Sequence, residues 1–308
     1  MIQTTTPLFL HCKTPFHPGS GSNLGIVDLP VQRESHTGYP KFEASGLKGC
    51  LRESYHQANG VDEEFIFGPE RDGDAHGGSV CLTDARVLLF PVKSLKGVFS
   101  YVTCPYALNR FAEEMRVAKM TFPALPEAPG DSEALVCELP PKECVLLAGD
   151  HIVLEEYTFA ATKSPKLTAF AEALAGCLDD RLISAGNLKQ RIAVVSDDDF
   201  TFFVKTMTET ITRVRINQET GTVDTGALFT EEYVPAETLF YSLAMAGSIL
   251  LPKEGKDKWK KDHPDEPDES KYLLNLLSEH IQANPIVQMG GDATIGKGLM
   301  ALAFRGVA

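Results

Sequence analysis

Short β-branched runs alternate with short windows of helical apolar spacing along this chain, and no fixed period links them. That alternation excludes a solenoid and predicts an α+β sheet core with long insertions. Strands are predicted at Leu8–Leu10, Val80–Val92, Gly97–Thr103, Cys144–Leu147, Ile192–Val195, Thr210–Ile216 and Pro285–Met289, with an apolar strand closing the chain. Helical spacing is carried by Leu47, Leu51, Tyr55 and Ala58 after Ser45 as N-cap. It returns in Leu108, Phe111, Met115 and Ala118 after Pro105, in Leu167–Leu178 and in Leu273–Ile281. The remaining polar stretches read as loops: His17–Ser22, Asp62–Gly78, the Pro-rich Pro123–Pro141, the turn Gln218–Gly221, and the charged Lys253–Ser270.

The 308 residues are 43% hydrophobic and 23% charged, enough to bury a substantial core in one large domain or two. Seven cysteines lie between Cys12 and Cys177 without a Cys-x-x-Cys pair, which fits reduced, buried thiols and neither a zinc site nor a disulfide framework. Met1-Ile2-Gln3-Thr4 lacks the marks of a secretory leader, and Leu239–Leu251 is too short to span a bilayer. A cytoplasmic protein without membrane contact is expected.

The net charge of −13 argues against a nucleic-acid binder, because phosphate neutralisation needs Lys and Arg. The distribution softens this. Acidic residues concentrate in Asp62–Glu64, Asp197–Asp199 and Asp262–Glu269, whereas Arg33, Lys41, Lys48 and Arg52 recur with few acidic neighbours. An acidic protein can still present one basic groove.

Near the end, Gly291–Lys297 matches the first seven positions of a P-loop, but Gly298 stands where Ser or Thr should ligate magnesium. Ten residues follow it, too few for the helix and strands of a P-loop fold. A nucleotide-dependent enzyme is therefore the weaker reading. What remains is a loop whose backbone N–H groups approach either another chain segment or an RNA phosphate, and both readings stay open. Asp28 stands in the apolar context Ile26-Val27-Asp28-Leu29-Pro30, as a turn residue or, beside RNA, as a carboxylate that binds a divalent ion or draws a proton from a 2′-hydroxyl. His17 lies in a Gly-rich polar loop, where a histidine is solvent-exposed or hydrogen-bonded, or else catalytic. No nucleophile elbow and no acidic cluster at metal spacing is present.

Taken together, His17–Glu34, Gly38-Tyr39-Pro40, Ser45–Gly49, Leu51-Arg52-Glu53, Phe67-Gly68, Thr83–Arg86, Phe90–Ser94, Thr212–Ile216, Leu228–Tyr233 and Gly290–Leu299 resemble the repeated backbone subunit of type III-B CRISPR (Cmr) complexes, of the RAMP superfamily. The resemblance runs nearly end to end, except over Met120–Phe200. It implies a modified RRM-like (ferredoxin-like) palm, an extended β-hairpin thumb, and a single RAMP-type domain over residues 1–308. It also implies crRNA and target RNA as partners, with other copies of the chain and other Cmr subunits. Target RNA would be cut by 2′-hydroxyl attack, dependent on Mg2+ or Mn2+. Asp28 falls on the family's cleavage-loop aspartate and metal position, and His17, Glu231 and Tyr233 on positions bearing on activity. Ser20, Arg33, Lys48, Arg52, Gly296, Lys297 and Gly298 are the implied RNA contacts. The alternative is a scaffold that binds guide RNA without cutting, and the presence of Asp28 weighs against it.

Overall fold

The computed structural model describes residues 2–22, 25–70, 76–140, 143–178, 180–217, 219–251 and 253–304. In chain order the elements are β1 (Ile2–Cys12), β2 (Lys41–Phe42), α1 (Ala44–Gln57), α2 (Glu63–Phe67), β3 (Val80–Leu82), β4 (Ala85–Lys93), β5 (Phe99–Thr103) and α3 (Pro105–Val117). Then come β6 (Glu133–Cys137), β7 (His151–Leu154), β8 (Tyr157–Ser164), α4 (Pro165–Cys177), α5 (Ala185–Arg191), β9 (Ile192–Val194) and α6 (Asp197–Thr206). The last third holds β10 (Glu209–Ile216), β11 (Val223–Tyr233), β12 (Leu239–Gly247), α7 (Lys253–Asp262), α8 (Glu269–Ala283), β13 (Ile286–Gln288) and β14 (Leu299–Phe304).

Twelve strands form one mixed sheet, ordered β13-β14-β1-β12-β4-β5-β9-β6-β8-β7, with β2 on β4 and β3 on β12. Period-2 alternation divides the core into two faces. Leu8, Leu10, Phe240, Met300 and Leu302 pack on one side with α1, α7 and α8. Phe9, Tyr241, Ala301 and Ala303 pack on the other with α3, α4 and α5. The β7 end curls back: Leu95 N–H donates to Val153 O (3.0 Å) and Glu155 N–H to Lys93 O (2.9 Å), closing that part of the sheet on itself. Strands β10 and β11 form a separate two-stranded antiparallel hairpin with exposed Val214, Ile216, Val223 and Leu228, which is the thumb the resemblance implies. Gln218, the first residue of its predicted turn, lies outside the described residues. So do Asn23 and Leu24 of the loop near Asp28 and residues 71–75 of the Asp62–Gly78 loop.

Several predicted elements are corrected. Helix α1 starts at Ala44, ahead of Ser45, because Asp84 Oδ1 accepts the Ala44 N–H (2.9 Å) and supplies a cap from the break between β3 and β4. The predicted strand Val80–Val92 is two, broken at Thr83-Asp84. Cys144–Leu147 is not a strand; Cys144 and Leu146 are buried in an irregular segment whose alternation imitates one. The charged Lys253–Ser270 stretch contains α7, seated by the buried Trp259, whose ring stacks on His263. Strand β6 lies within the Pro-rich Pro123–Pro141 excursion, and short helix α2 within the predicted Asp62–Gly78 loop.

Candidate functional site

The loop after β1 folds back on itself and then runs along the edge of β11. Gly19 pairs with Val31, and Leu29 with Glu231. Leu29 N–H donates to Thr230 O (3.0 Å) and Glu232 N–H to Leu29 O (3.0 Å). This zipping puts Asp28 at the surface. Its Oδ2 accepts both the Thr230 N–H (2.7 Å) and the Thr230 hydroxyl (2.8 Å), while its own N–H donates to Thr230 Oγ1 (3.0 Å). The backbone hydrogen bond from Thr230, then the one from its hydroxyl, hold the Asp28 carboxyl below its usual 3.8.

Beneath this clasp lies a half-buried ionic cluster at the root of the hairpin. Tyr233 is fully buried, and its single phenolic proton serves two carboxylate oxygens, Glu231 Oε2 (2.7 Å) and Asp292 Oδ2 (2.6 Å). Arg213 binds the same three groups. Its Nε lies 2.6 Å from Glu231 Oε2, and its Nη2 donates to Asp292 Oδ2 (3.0 Å) and to the Tyr233 hydroxyl. Lys297 Nζ sits over the Tyr233 ring, 4.7 Å from its centroid. Desolvation works against the Asp292 carboxylate, yet the Tyr233 hydrogen bond, its contact with Glu231 and the Arg213 charge leave its pKa lowered. Burial pushes the Tyr233 phenol up, reinforced by its bonds to the two carboxylates.

His17 is buried, not surface-exposed. Its Nδ1 meets the Glu232 carbonyl at 2.6 Å, and since a carbonyl only accepts, Nδ1 carries the hydrogen. Its Nε2 faces Glu231 Oε1 at 3.5 Å. The Gly-rich loop is folded around this histidine. Gly291 N–H donates to His17 O (3.0 Å), and a Cβ on Gly290 would stand 2.5 Å from the same oxygen. Gly298, at φ +72°, donates its N–H to Pro15 O (2.9 Å), and a Cβ there would overlap the Met289 carbonyl oxygen. Gly296, at φ +77°, faces open space. A short 3-10 turn, Ala293–Ile295, replaces the helix of a P-loop.

The other predicted contacts are engaged within the chain. Ser20 is exposed, and its hydroxyl donates to Pro30 O (3.0 Å). Arg33 gives Nη1 to Gly38 O (2.8 Å) and Val204 O (2.9 Å), and Nη2 to Glu232 Oε1 (2.5 Å). On α1, Lys48 Nζ donates to Val80 O (2.8 Å), and Arg52 binds Glu63 Oε1 (3.1 Å) and Gly68 O (2.9 Å). Desolvation lowers the Lys48 pKa, with Arg52 adding to it and Cys81 opposing. The structure thus gathers His17, Asp28, Arg33, Glu231, Tyr233 and Lys297 around the hairpin root, while the hydrogen bonds of Lys48 and Arg52 lead toward α2 and β3. Sequence reasoning gave no role to Thr230, Arg213 and Asp292. Arg213 was visible as a cation in the quoted Thr212–Ile216 run, but its partners lie in other elements.

Among the described residues, no group of three or more His, Cys, Asp or Glu side chains is placed to hold a metal ion. The donor set does not make a protein-only metal cage. Asp28 offers one charged carboxylate at the surface, a single ligand where a divalent ion takes six or more oxygens.

The RAMP superfamily profile matches residues 9–301. The chain belongs to the RAMP superfamily. Within that superfamily it is Cmr4-like, being 37% identical over 310 residues to the CRISPR system Cmr endoribonuclease Cmr4 of Pyrococcus furiosus, across 97% of this chain and 95% of the relative. It is 26% identical to the CRISPR system CMR subunit Cmr4 of Saccharolobus solfataricus, across 96% of this chain and 95% of that protein. The crystal structure of oligomeric Cmr4 from Pyrococcus furiosus superposes with a TM-score of 0.73 at 28% identity, covering 99% of both chains. A chain of the type III-B Cmr-beta complex bound to cognate target RNA shares the fold, with a TM-score of 0.69 at 20% identity over 98% of each. The RAMP resemblance read from the His17–Glu34 block therefore holds along nearly the whole chain.

Proposed function

We propose that this RAMP chain is a backbone subunit of a type III-B Cmr effector complex, binding crRNA and cutting the paired target RNA at the Asp28 loop. The observation that carries the reading is the clasp itself: a surface carboxylate, held ionised and fixed by both donors of one threonine, at the root of a protruding hairpin. Guide and target would be read through backbone and shape, with sequence selection left to base pairing. Other copies of the chain and other Cmr subunits would line the same guide.

In the proposed cut, a 2′-oxygen bonds to the neighbouring phosphorus as the phosphorus–O5′ bond breaks. The 2′-proton passes to solvent water and the 5′-oxygen takes one from it, leaving 5′-hydroxyl and cyclic-phosphate ends. The lowered pKa makes Asp28 a weaker base than an ordinary aspartate, so it is better suited to holding charge than to keeping that proton. A divalent ion, Mg2+ or Mn2+, held by Asp28 together with RNA phosphate oxygens, would supply charge neutralisation at the reacting phosphate. His17, Glu231 and Tyr233 act from beneath as positioning residues, because each is bonded to the strand or loop that presents Asp28. Lys297 and the open Gly296 turn are the parts of the glycine-rich loop left to face a phosphate backbone.

The test is Asp28→Asn in the guide-loaded protein. Guide and target binding should persist while cutting falls by about two to four orders of magnitude. A target with 2′-deoxy residues at the cut sites should resist the unaltered protein to a similar degree. Cutting by Asp28→Asn at the normal rate and positions would leave a non-cleaving guide-RNA scaffold as the better reading.

A further inference from the structure

An open cleft of about 440 Å³ lies beside the Asp28 loop. One wall is the loop itself, through Gly25, Ile26, Val27 and Pro30, and the other is the end of α6 and the start of β10, through Lys205, Thr208 and Thr210. Its volume falls in the range of roughly 300–1,000 Å³ typical of sites that hold a small-molecule-sized group. Arg33 and Glu232 also line it, but they neutralise each other, with Arg33 Nη2 2.5 Å from Glu232 Oε1. Both Nη1 hydrogens of Arg33 go to the carbonyls of Gly38 and Val204. Lys205 therefore supplies the one uncompensated charge of the lining, in a chain of net charge −13.

Lys205 is also held in place. Gly38 sits at φ +76°, and a Cβ added there would overlap Lys205 Cε, so the lysine stem lies directly against the glycine backbone. Its ammonium makes no hydrogen bond or ion pair among the described residues. A braced stem with a free cationic head suits a point contact with an anion. The neighbouring hydroxyl of Thr208 is turned inward to Glu232 Oε1 (2.7 Å), which leaves Lys205 as the charged group facing the opening.

We infer that Lys205 is a positioning residue that grips one backbone phosphate of the strand presented to Asp28, and that the cleft seats the nucleotide carrying it. The inference rests on the reading of Asp28 as the cleavage residue, since the same loop forms the cleft wall. A phosphodiester is favoured over an acidic peptide because the cleft holds a single free cation next to a carboxylate. A phosphate brings one charge per nucleotide, which one lysine can match, whereas an acidic peptide would set several adjacent carboxylates against a single cation with Asp28 on the same loop.

The experiment uses guide-loaded protein and measures target-strand affinity against salt for the unaltered chain, Lys205→Met and Lys205→Arg. Methionine keeps the stem on Gly38 and removes the charge. Lys205→Met should lower the slope of log K against log salt by about 0.7–0.9 and weaken binding roughly fivefold at physiological salt. Lys205→Arg should restore both, and guide binding should not change in either variant. A single neutral methylphosphonate, walked across the phosphates flanking the cut, should cost the unaltered protein the same fivefold at one position and cost Lys205→Met nothing further there. An unchanged slope, a loss on guide binding instead, or additive effects at every position would overturn the assignment. Cutting by Asp28→Asn is scored separately, so failure of the cleavage reading is distinguishable from failure of the phosphate contact.

Discussion

Tyr233 donates its hydroxyl to Asp292 Oδ2 at 2.6 Å, joining the last residue of the hairpin to the glycine-rich loop 59 positions further along the chain. Arg213, on the opposite hairpin strand, closes the same contact from the other side. The hairpin is therefore anchored by polar bonds at its root, while its far half exposes aliphatic side chains.

Removing that hydroxyl tests the anchor. Tyr233→Phe leaves Arg213, Glu231 and Asp292 in place but strips their shared partner, so unfolding free energy should fall by about 1–3 kcal/mol. Denaturant titration reads the loss directly. A change below about 0.3 kcal/mol would mean that the salt bridges alone hold the root.

Two glycines of one loop should respond very differently. Gly298→Ala sets a methyl against the Met289 carbonyl in addition to a left-handed backbone, and should cost more than about 3 kcal/mol or abolish soluble expression. Gly296→Ala meets open space, so only the backbone term of roughly 1–2 kcal/mol applies. Similar melting temperatures for the two variants would contradict this geometry.

Thr230→Val addresses the clasp without touching Asp28. It removes the hydroxyl bond and keeps the backbone donor, so the Asp28 pKa should move up toward its usual 3.8 in a carboxyl-resolved NMR titration. Because the folded pKa is the lower one, the clasp's contribution to stability is complete above the usual value and is lost as pH falls through the lowered one. Thr230→Val should shrink that acid-dependent part. Target cutting should drop about tenfold through lost orientation, with target binding retained.

Lys48→Met and Arg52→Ala separate internal from external roles on α1. Both cations donate to backbone carbonyls, so each variant should lose about 1–2 kcal/mol of stability. If they also meet guide phosphates, the salt slope of guide binding falls by roughly one unit per residue. A stability loss with an unchanged slope assigns them to the fold.

Amphipathic windows were legible wherever one face of an element meets the core. Leu47, Leu51 and Tyr55, or Leu108, Phe111 and Met115, could be read as helices from spacing alone. Strand β6 escaped because it lies inside a Pro-rich stretch and is buried on both faces over Ala134–Cys137. Helix α7 escaped because its charged surface resembles a loop, and one tryptophan seats it. At the candidate site, the residues in the two quoted blocks His17–Glu34 and Leu228–Tyr233 do converge. Their partners Arg213 and Asp292 are 79 residues apart, and Lys205 sits in the last turn of a helix. Arg213 and Asp292 fall inside quoted runs, but nothing local in the sequence says that they or Lys205 meet this site, since their placement depends on which strands pair.

The closing of the sheet at β7 has a bearing on how the chain behaves before it meets RNA. With Lys93 and Leu95 bonded to the β7 turn and its last strand residues, that pole presents no open ladder for a stray strand to extend. Among the described strands, unpaired edges remain elsewhere: β13 pairs only with β14, β3 only with β12 and β10 only with β11, whereas Leu29 covers the base of the outer β11 edge. Strand addition is thereby steered away from the β7 pole and toward those edges.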